Sequence, residues 1–161
     1  MSELPDHIDE RIQELTAEGD ALAESAGYSA ATQKYWAAWD LLPEPKTEWE
    51  AATWLLVAIG DANFLDRDFQ AGRDNLTTAM HCPDAIGNPF LHLRLGQCQL
   101  ELGNESRAAD ELARAFMGAG IEMFLSQDPK YLTFLKSRLA APPGGWGDEP
   151  AKPSKPWWKF W

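Results

Sequence analysis

The sequence predicts an all-α fold: three helical hairpins stacked in series, closed by one further helix. Three observations carry this expectation. First, aligning Ile59-Gly60 with Leu95-Gly96 brings a long stretch into register at a spacing of 36. Ala62 then falls on Cys98, Phe64 on Leu100, Gly72 on Ala108, Asp74 on Asp110, Leu76 on Leu112 and Ala79 on Ala115. Small residues meet small ones and large apolar residues meet large apolar ones, as an internal repeat requires. Second, an upstream copy reads Gly19, Ala31, Tyr35, Ala38 and then Pro43, with the internal spacings of Gly96, Ala108, Leu112 and Ala115. Third, helix-stopping segments separate the copies: Leu-Leu-Pro-Glu-Pro at 41–45, His-Cys-Pro-Asp at 81–84 and Gly-Ala-Gly at 118–120.

Each copy places a glycine near the middle of its first helix, where two helices approach too closely for a Cβ. Each places small, large apolar and small residues at i, i+4 and i+7 of its second helix, which lie on one face. A hairpin of this kind cannot bury its apolar face alone, so neighbours stack into a superhelix with a concave side. Thr47 and Glu50 have the spacing of a capping box opening the second hairpin. Asp66 and Asp68 fall at the turn within that hairpin, and Gly103-Asn104 form the turn within the third. Beyond the repeats, Asp128-Pro129 is a good N-cap and first-turn pair, and Tyr131, Leu132, Leu135 and Leu139 trace an amphipathic stripe. This helix is expected to cover the last hairpin, with Phe124 and Leu125 tucked beneath it. Residues 6–140 thus read as one helical repeat domain. Residues 141–161 differ in composition, with five prolines, three glycines and the lysines Lys152, Lys155 and Lys159, and they end in Trp157-Trp158-Lys159-Phe160-Trp161. They read as a flexible Pro/Gly-rich tail whose aromatic end docks on a second protein or folds back onto a groove.

Composition narrows the function. The chain has 161 residues, 45% of them hydrophobic and 24% charged, enough for one real core without staples. Fourteen Lys and Arg against 25 Asp and Glu give a net charge of −11, which argues against nucleic acid and for a basic partner. Eight carboxylates stand against one Arg11 in the first 24 residues. No run is long and apolar enough to span a bilayer, and MSELPDHIDER lacks the basic and apolar regions of a signal peptide. The two cysteines, Cys82 and Cys98, have no metal-ligand spacing and read as reduced, buried thiols of a cytoplasmic protein. Phosphate loops, nucleophile elbows and zinc-protease patterns are missing from the sequence, and neighbouring His81 and Cys82 on a turn lack the geometry of a base and nucleophile. His92 reads as a packing residue. Neither enzyme activity nor a cofactor or metal is expected.

Leu95-Gly96, Gly103, Ala108, Leu112 and Ala115 together match the LG…G…A…F…A pattern of tetratricopeptide repeats, and the chain resembles that family over roughly residues 12–120. It departs from the pattern at Asn63, Gly72, His92 and Gln99. The resemblance implies a right-handed superhelix of about three repeats whose first helices line a concave groove. Carried over position by position, it points to Asp20 and Glu24 in the first repeat, beside Gln13, Thr16 and Ala23. In the second it points to Trp54, Asp61 and Phe64, beside Val57. In the third it points to Phe90, Gln97 and Glu101, beside Leu93 and Leu100. Large aromatics among carboxylates suit interface anchors with a charged rim. Asp128, Pro129, Lys130, Tyr131, Leu132, Phe134, Leu135 and Lys136 form a DPKYLxFLK-like helix after the repeats. In this the chain resembles small bacterial immunity proteins of polymorphic toxin systems. That resemblance implies a protein that binds a basic toxin effector domain and blocks its catalytic site; the alternative is a cytoplasmic chaperone or adaptor of a secretion or assembly system.

Overall fold

The structure, a computed structural model, describes residues 3–148. These residues are all-helical. Helices α1 (Asp6–Glu24) and α2 (Tyr28–Asp40) form the first hairpin, α3 (Glu50–Leu65) and α4 (Phe69–Ala79) the second, and α5 (Pro89–Glu101) and α6 (Glu105–Ala119) the third. A short helix α7 (Glu122–Leu125) and the longer α8 (Pro129–Arg138) follow. Within each hairpin the two helices pack along their length, and α2 packs on α3 and α4 on α5, so the hairpins stack in chain order. Among the described residues no helix is long and apolar enough to cross a membrane.

The glycine spacing has a direct physical cause. A Cβ on Gly19 would lie 2.6 Å from the Tyr35 ring, one on Gly60 2.4 Å from Leu76 Cγ, and one on Gly96 2.8 Å from Leu112 Cγ. Each glycine therefore receives the large side chain sixteen residues later, from the partner helix of its own hairpin. Those side chains are flanked by fully buried alanines: Ala31 and Ala38, Ala79, Ala108 and Ala115. The position filled by Ala31 and Ala108 is Gly72 in the second hairpin, because a Cβ there would meet Cys98 Sγ at 2.9 Å.

The three hairpin turns are also one structure. The N–H groups of Gly27, Asp68 and Asn104 donate to the carbonyls of Leu22, Asn63 and Gln99 at 2.8, 2.9 and 2.8 Å. The residue before each adopts positive φ: Ala26 at 61°, Arg67 at 65° and Gly103 at 81°. This is the six-to-one helix termination whose left-handed position glycine fills best, yet only the third turn has glycine at that position.

Helix starts follow local chemistry. The Asp68 carboxylate accepts from Ala71 N–H, the Asn88 side chain accepts from the N–H groups of Phe90 and Leu91, and Asp128 accepts from Lys130 N–H at 3.0 Å. The expected capping box at Thr47 and Glu50 does not form. Residues Lys46–Glu48 instead make a 3₁₀ turn, and α3 begins after Trp49 without a side-chain cap. That turn is pinned by Lys46, whose ammonium donates to the Trp39, Asp40 and Leu42 carbonyls at the end of α2. The Trp49 indole N–H adds a bond to the Pro43 carbonyl at 2.8 Å.

Two core clusters result. The larger runs through the first two hairpins into α5; the smaller joins Leu93, Leu112 and Ala115 to Phe124 and Leu135 of the covering segment. Phe124 is buried as expected, but Leu125 is 59% exposed. Of the α8 stripe, Tyr131 and Leu135 are buried; Leu139 lies beyond the helix and is exposed. Residues 141–148, read above as the start of a flexible Pro/Gly-rich tail, touch the domain through Trp146 and Asp148. Trp146 meets Phe116 edge-on at 5.1 Å, and Lys136 pairs with Asp148. The aromatic segment at 157–161 lies outside the described residues.

Candidate functional site

Two zones lie along the first-helix side of the stack. The first is a cleft of about 890 Å³ between the N-terminal halves of α1 and α3 and the loop before α3. Its wall carries Glu3, Asp6 and Asp9 from one side and Glu44, Glu48 and Glu50 from the other. Trp49 and Trp54 supply apolar surface, and Gln13 faces the same space. Lys46 is the one cation in the loop, and its ammonium is committed to the carbonyls at the end of α2. Among the described residues none of the six carboxylates is in an ion pair, and no three acidic, His or Cys side chains converge as metal ligands. The cleft thus combines uncompensated negative charge with two half-buried indoles. Ammonium and guanidinium groups are attracted both by carboxylates and by indole faces.

The second zone is centred on Arg94, which is only 7% exposed. Its Nε donates to Asp61 at 2.7 Å, and one terminal nitrogen donates to Gln97 at 2.8 Å and Gln127 at 2.7 Å. The guanidinium sits over Phe64 at 4.4 Å and near Phe90 at 5.2 Å. Gln97 adds a bond to Gln127 at 2.9 Å. Beside this network Glu101 accepts from the Tyr131 hydroxyl at 2.7 Å and pairs with Lys130. Burial pushes Glu101 up, but the bonds from Lys130 and Tyr131 outweigh it and hold its carboxyl below the ordinary value. Burial and the adjacent carboxylate both push Tyr131 well above a normal phenol.

Six of the eight partner-binding positions singled out from sequence fall in these zones, and Asp20 and Glu24 fall in neither. Asp61, Phe64, Phe90 and Gln97 are brought together around Arg94, and Glu101 stands next to them. Gln97, expected to face a partner, is fully buried, and with Leu93 it belongs to the interior. Trp54 belongs to the acidic cleft. Asp20 is exposed but accepts from the Tyr35 hydroxyl at 2.7 Å, and Glu24 is exposed at the last turn of α1. Sequence reasoning missed Arg94, although a lone cation among apolar residues of an acidic chain, one turn from both Phe90 and Gln97, was a usable signal. It also missed Glu44, Glu48 and Trp49, whose positions depend on the folded loop.

The remaining polar interior is structural. His92 is buried; Gly87 N–H donates to its Nε2, so Nδ1 carries the proton toward Glu111 at 2.5 Å. Burial pushes the Cys98 thiol up to about 12 and raises Cys82 as well, which leaves both poor nucleophiles. No protein-family model and no curated protein matches the chain.

Proposed function

We propose that the protein is a protein-binding module of tetratricopeptide-like, right-handed superhelical architecture that captures a basic partner. Its most specific form is a cytoplasmic immunity protein that blocks the catalytic domain of a cognate secreted bacterial toxin. The architecture is supported by three hairpins that repeat the same glycine-to-large-residue contact and the same turn. The observation that carries the function is the cleft with six carboxylates, two tryptophans and, among the described residues, no neutralising cation. A toxin that acts on nucleic acid or nucleotides holds phosphates with Lys and Arg. Carboxylates presented from a folded wall take the place of those phosphates, so inhibition is electrostatic and steric together, and a chain of net charge −11 speeds the encounter.

The chaperone alternative needs an open apolar groove for a short hydrophobic segment. Phe64 and Phe90, the aromatics that would line it, are half-buried and already stacked against the Arg94 guanidinium of the same chain, with the Tyr131 ring against Phe64 as well. The test is co-expression with the product of the neighbouring gene, followed by co-purification and a growth assay. A neighbour that kills cells alone and is silenced in a stable, salt-sensitive complex supports immunity. A harmless neighbour that binds only through a short apolar segment overturns it.

A further inference from the structure

The cleft also has a candidate occupant within the chain. We propose that residues 149–161 dock in the acidic cleft of their own chain and hold it until a basic partner displaces them. The two surfaces are chemically complementary. The segment carries Lys152, Lys155 and Lys159 against one Glu149, a net of +2, in a protein of net −11. Interleaved with the lysines are Trp157, Trp158, Phe160 and Trp161. The cleft offers six carboxylates for the ammonium groups and the Trp49 and Trp54 faces for the rings. Its volume falls in the range that encloses a ligand of a few side chains.

The chain path makes the contact reachable. Trp146 packs on Phe116 and Gly147 approaches Ile121, so the chain leaves the domain beside the C-terminal end of α6. That end touches the start of α5, because a Cβ on Gly118 would lie 2.7 Å from Pro89. The starts of α3 and α5 share one edge of the stack: Thr53, in the first turn of α3, donates to the Pro83 carbonyl in the loop that leads into α5. The cleft opens on this edge. Two to three helix widths, about 20–30 Å, separate the exit point from the cleft. The 13 residues from 149 to 161 span up to about 43 Å when extended. A tether this short also sets a high effective concentration for the segment at the cleft.

This self-docking is independent of the partner's identity, so it survives if the toxin reading fails in co-expression, and that reading survives if the segment does not dock. The test uses the full chain with Lys152→Glu, Lys155→Glu and Lys159→Glu, which vacates the cleft. The probe is a fluorescent synthetic peptide of residues 149–161 in its natural sequence. The peptide binds the reversed protein in a salt-dependent manner, binds the unaltered protein at least tenfold more weakly, and loses binding when Glu44→Lys and Glu48→Lys are added. Circular dichroism checks that these exposed loop substitutions leave the helices intact. Failure to bind the reversed protein, equal binding to both proteins, or indifference to the Glu44 and Glu48 changes would each overturn the proposal. Sedimentation supplies a further arm: the unaltered protein is expected to be a monomer. A dimer dissolved by the lysine reversals would mean that the segment docks on a second copy instead.

Discussion

Substituting Gly60 by alanine tests the contact on which each hairpin is built. In an ordinary exposed helix the change stabilises by about 1 kcal/mol, because alanine has the higher helix propensity. Here the new methyl would stand 2.4 Å from Leu76 Cγ and 2.6 Å from Leu76 Cδ2, against a normal carbon–carbon contact of about 3.5–4.0 Å. Leu76 is fully buried and has nowhere to move. Overpacking of this degree costs about 2–3 kcal/mol, which outweighs the propensity gain and leaves a net loss of about 1–2 kcal/mol. For a chain of this size the melting temperature falls by about 2–8 °C. Leu76→Ala alone costs about 2–5 kcal/mol through the cavity it opens. In that background Gly60→Ala has room, and its effect turns to a gain of about 1 kcal/mol. Urea denaturation of the four proteins therefore gives a coupling of about 2–3 kcal/mol. Stabilisation by Gly60→Ala in the unaltered protein, or an identical effect in both backgrounds, would refute the close-approach reasoning.

The shared turn predicts a second set of effects. Ala26→Gly and Arg67→Gly each relieve a left-handed residue and stabilise by about 0.5–1 kcal/mol, whereas Gly103→Ala destabilises by about 1 kcal/mol, all measurable by denaturation. Arg94→Ala leaves the Gln97 side-chain oxygen without a donor, removes one of the two bonds to Gln127 and takes the counter-ion from Asp61. Because Asp61 keeps partial access to water, the loss is about 2–4 kcal/mol rather than that of a fully buried pair, and hydrogen exchange across α7 and α8 rises first. Glu101 titrates below its ordinary value in the fold, so its contribution is complete above the unfolded carboxylate range, about pH 4.3, and is lost as pH falls through the lowered value. Melts of the protein and of Glu101→Gln accordingly differ by a constant amount near neutrality and converge in acid; a gap that widens on acidification would contradict this sign.

Much of the fold was legible because it repeats. Gly19, Gly60 and Gly96 face Tyr35, Leu76 and Leu112 at one spacing, and a periodic contact leaves a periodic trace in the sequence. Gly103 announced its turn, but Ala26 and Arg67 adopt the same conformation without the residue that signals it. The site was legible only where it lies on helices. Helical arithmetic puts Asp61 and Phe64 on one face of α3 and Phe90 and Gln97 on one face of α5, although the contacts of Gln127 with Gln97 and of Tyr131 with Phe64 come from a segment 30 and 67 residues further on. The acidic cleft joins Asp6 and Asp9 to Glu44 and Glu48 across about forty residues, through a loop fixed by Lys46 and Trp49. No periodicity records such a loop, and a lysine bonded to helix-end carbonyls reads in sequence as an ordinary surface cation.

If a basic partner binds in the acidic cleft, as proposed, its affinity depends on the cleft carboxylates. The most direct measurement is the affinity of the purified partner for three proteins at two salt concentrations: unaltered, Glu44→Lys with Glu48→Lys, and Asp110→Lys on the exposed side of α6 as a control. The cleft reversals are expected to weaken binding at least a hundredfold and to flatten its salt dependence, while the control stays within about threefold, as for a single rim charge. Equal affinities for all three proteins would place the interface elsewhere and contradict the account.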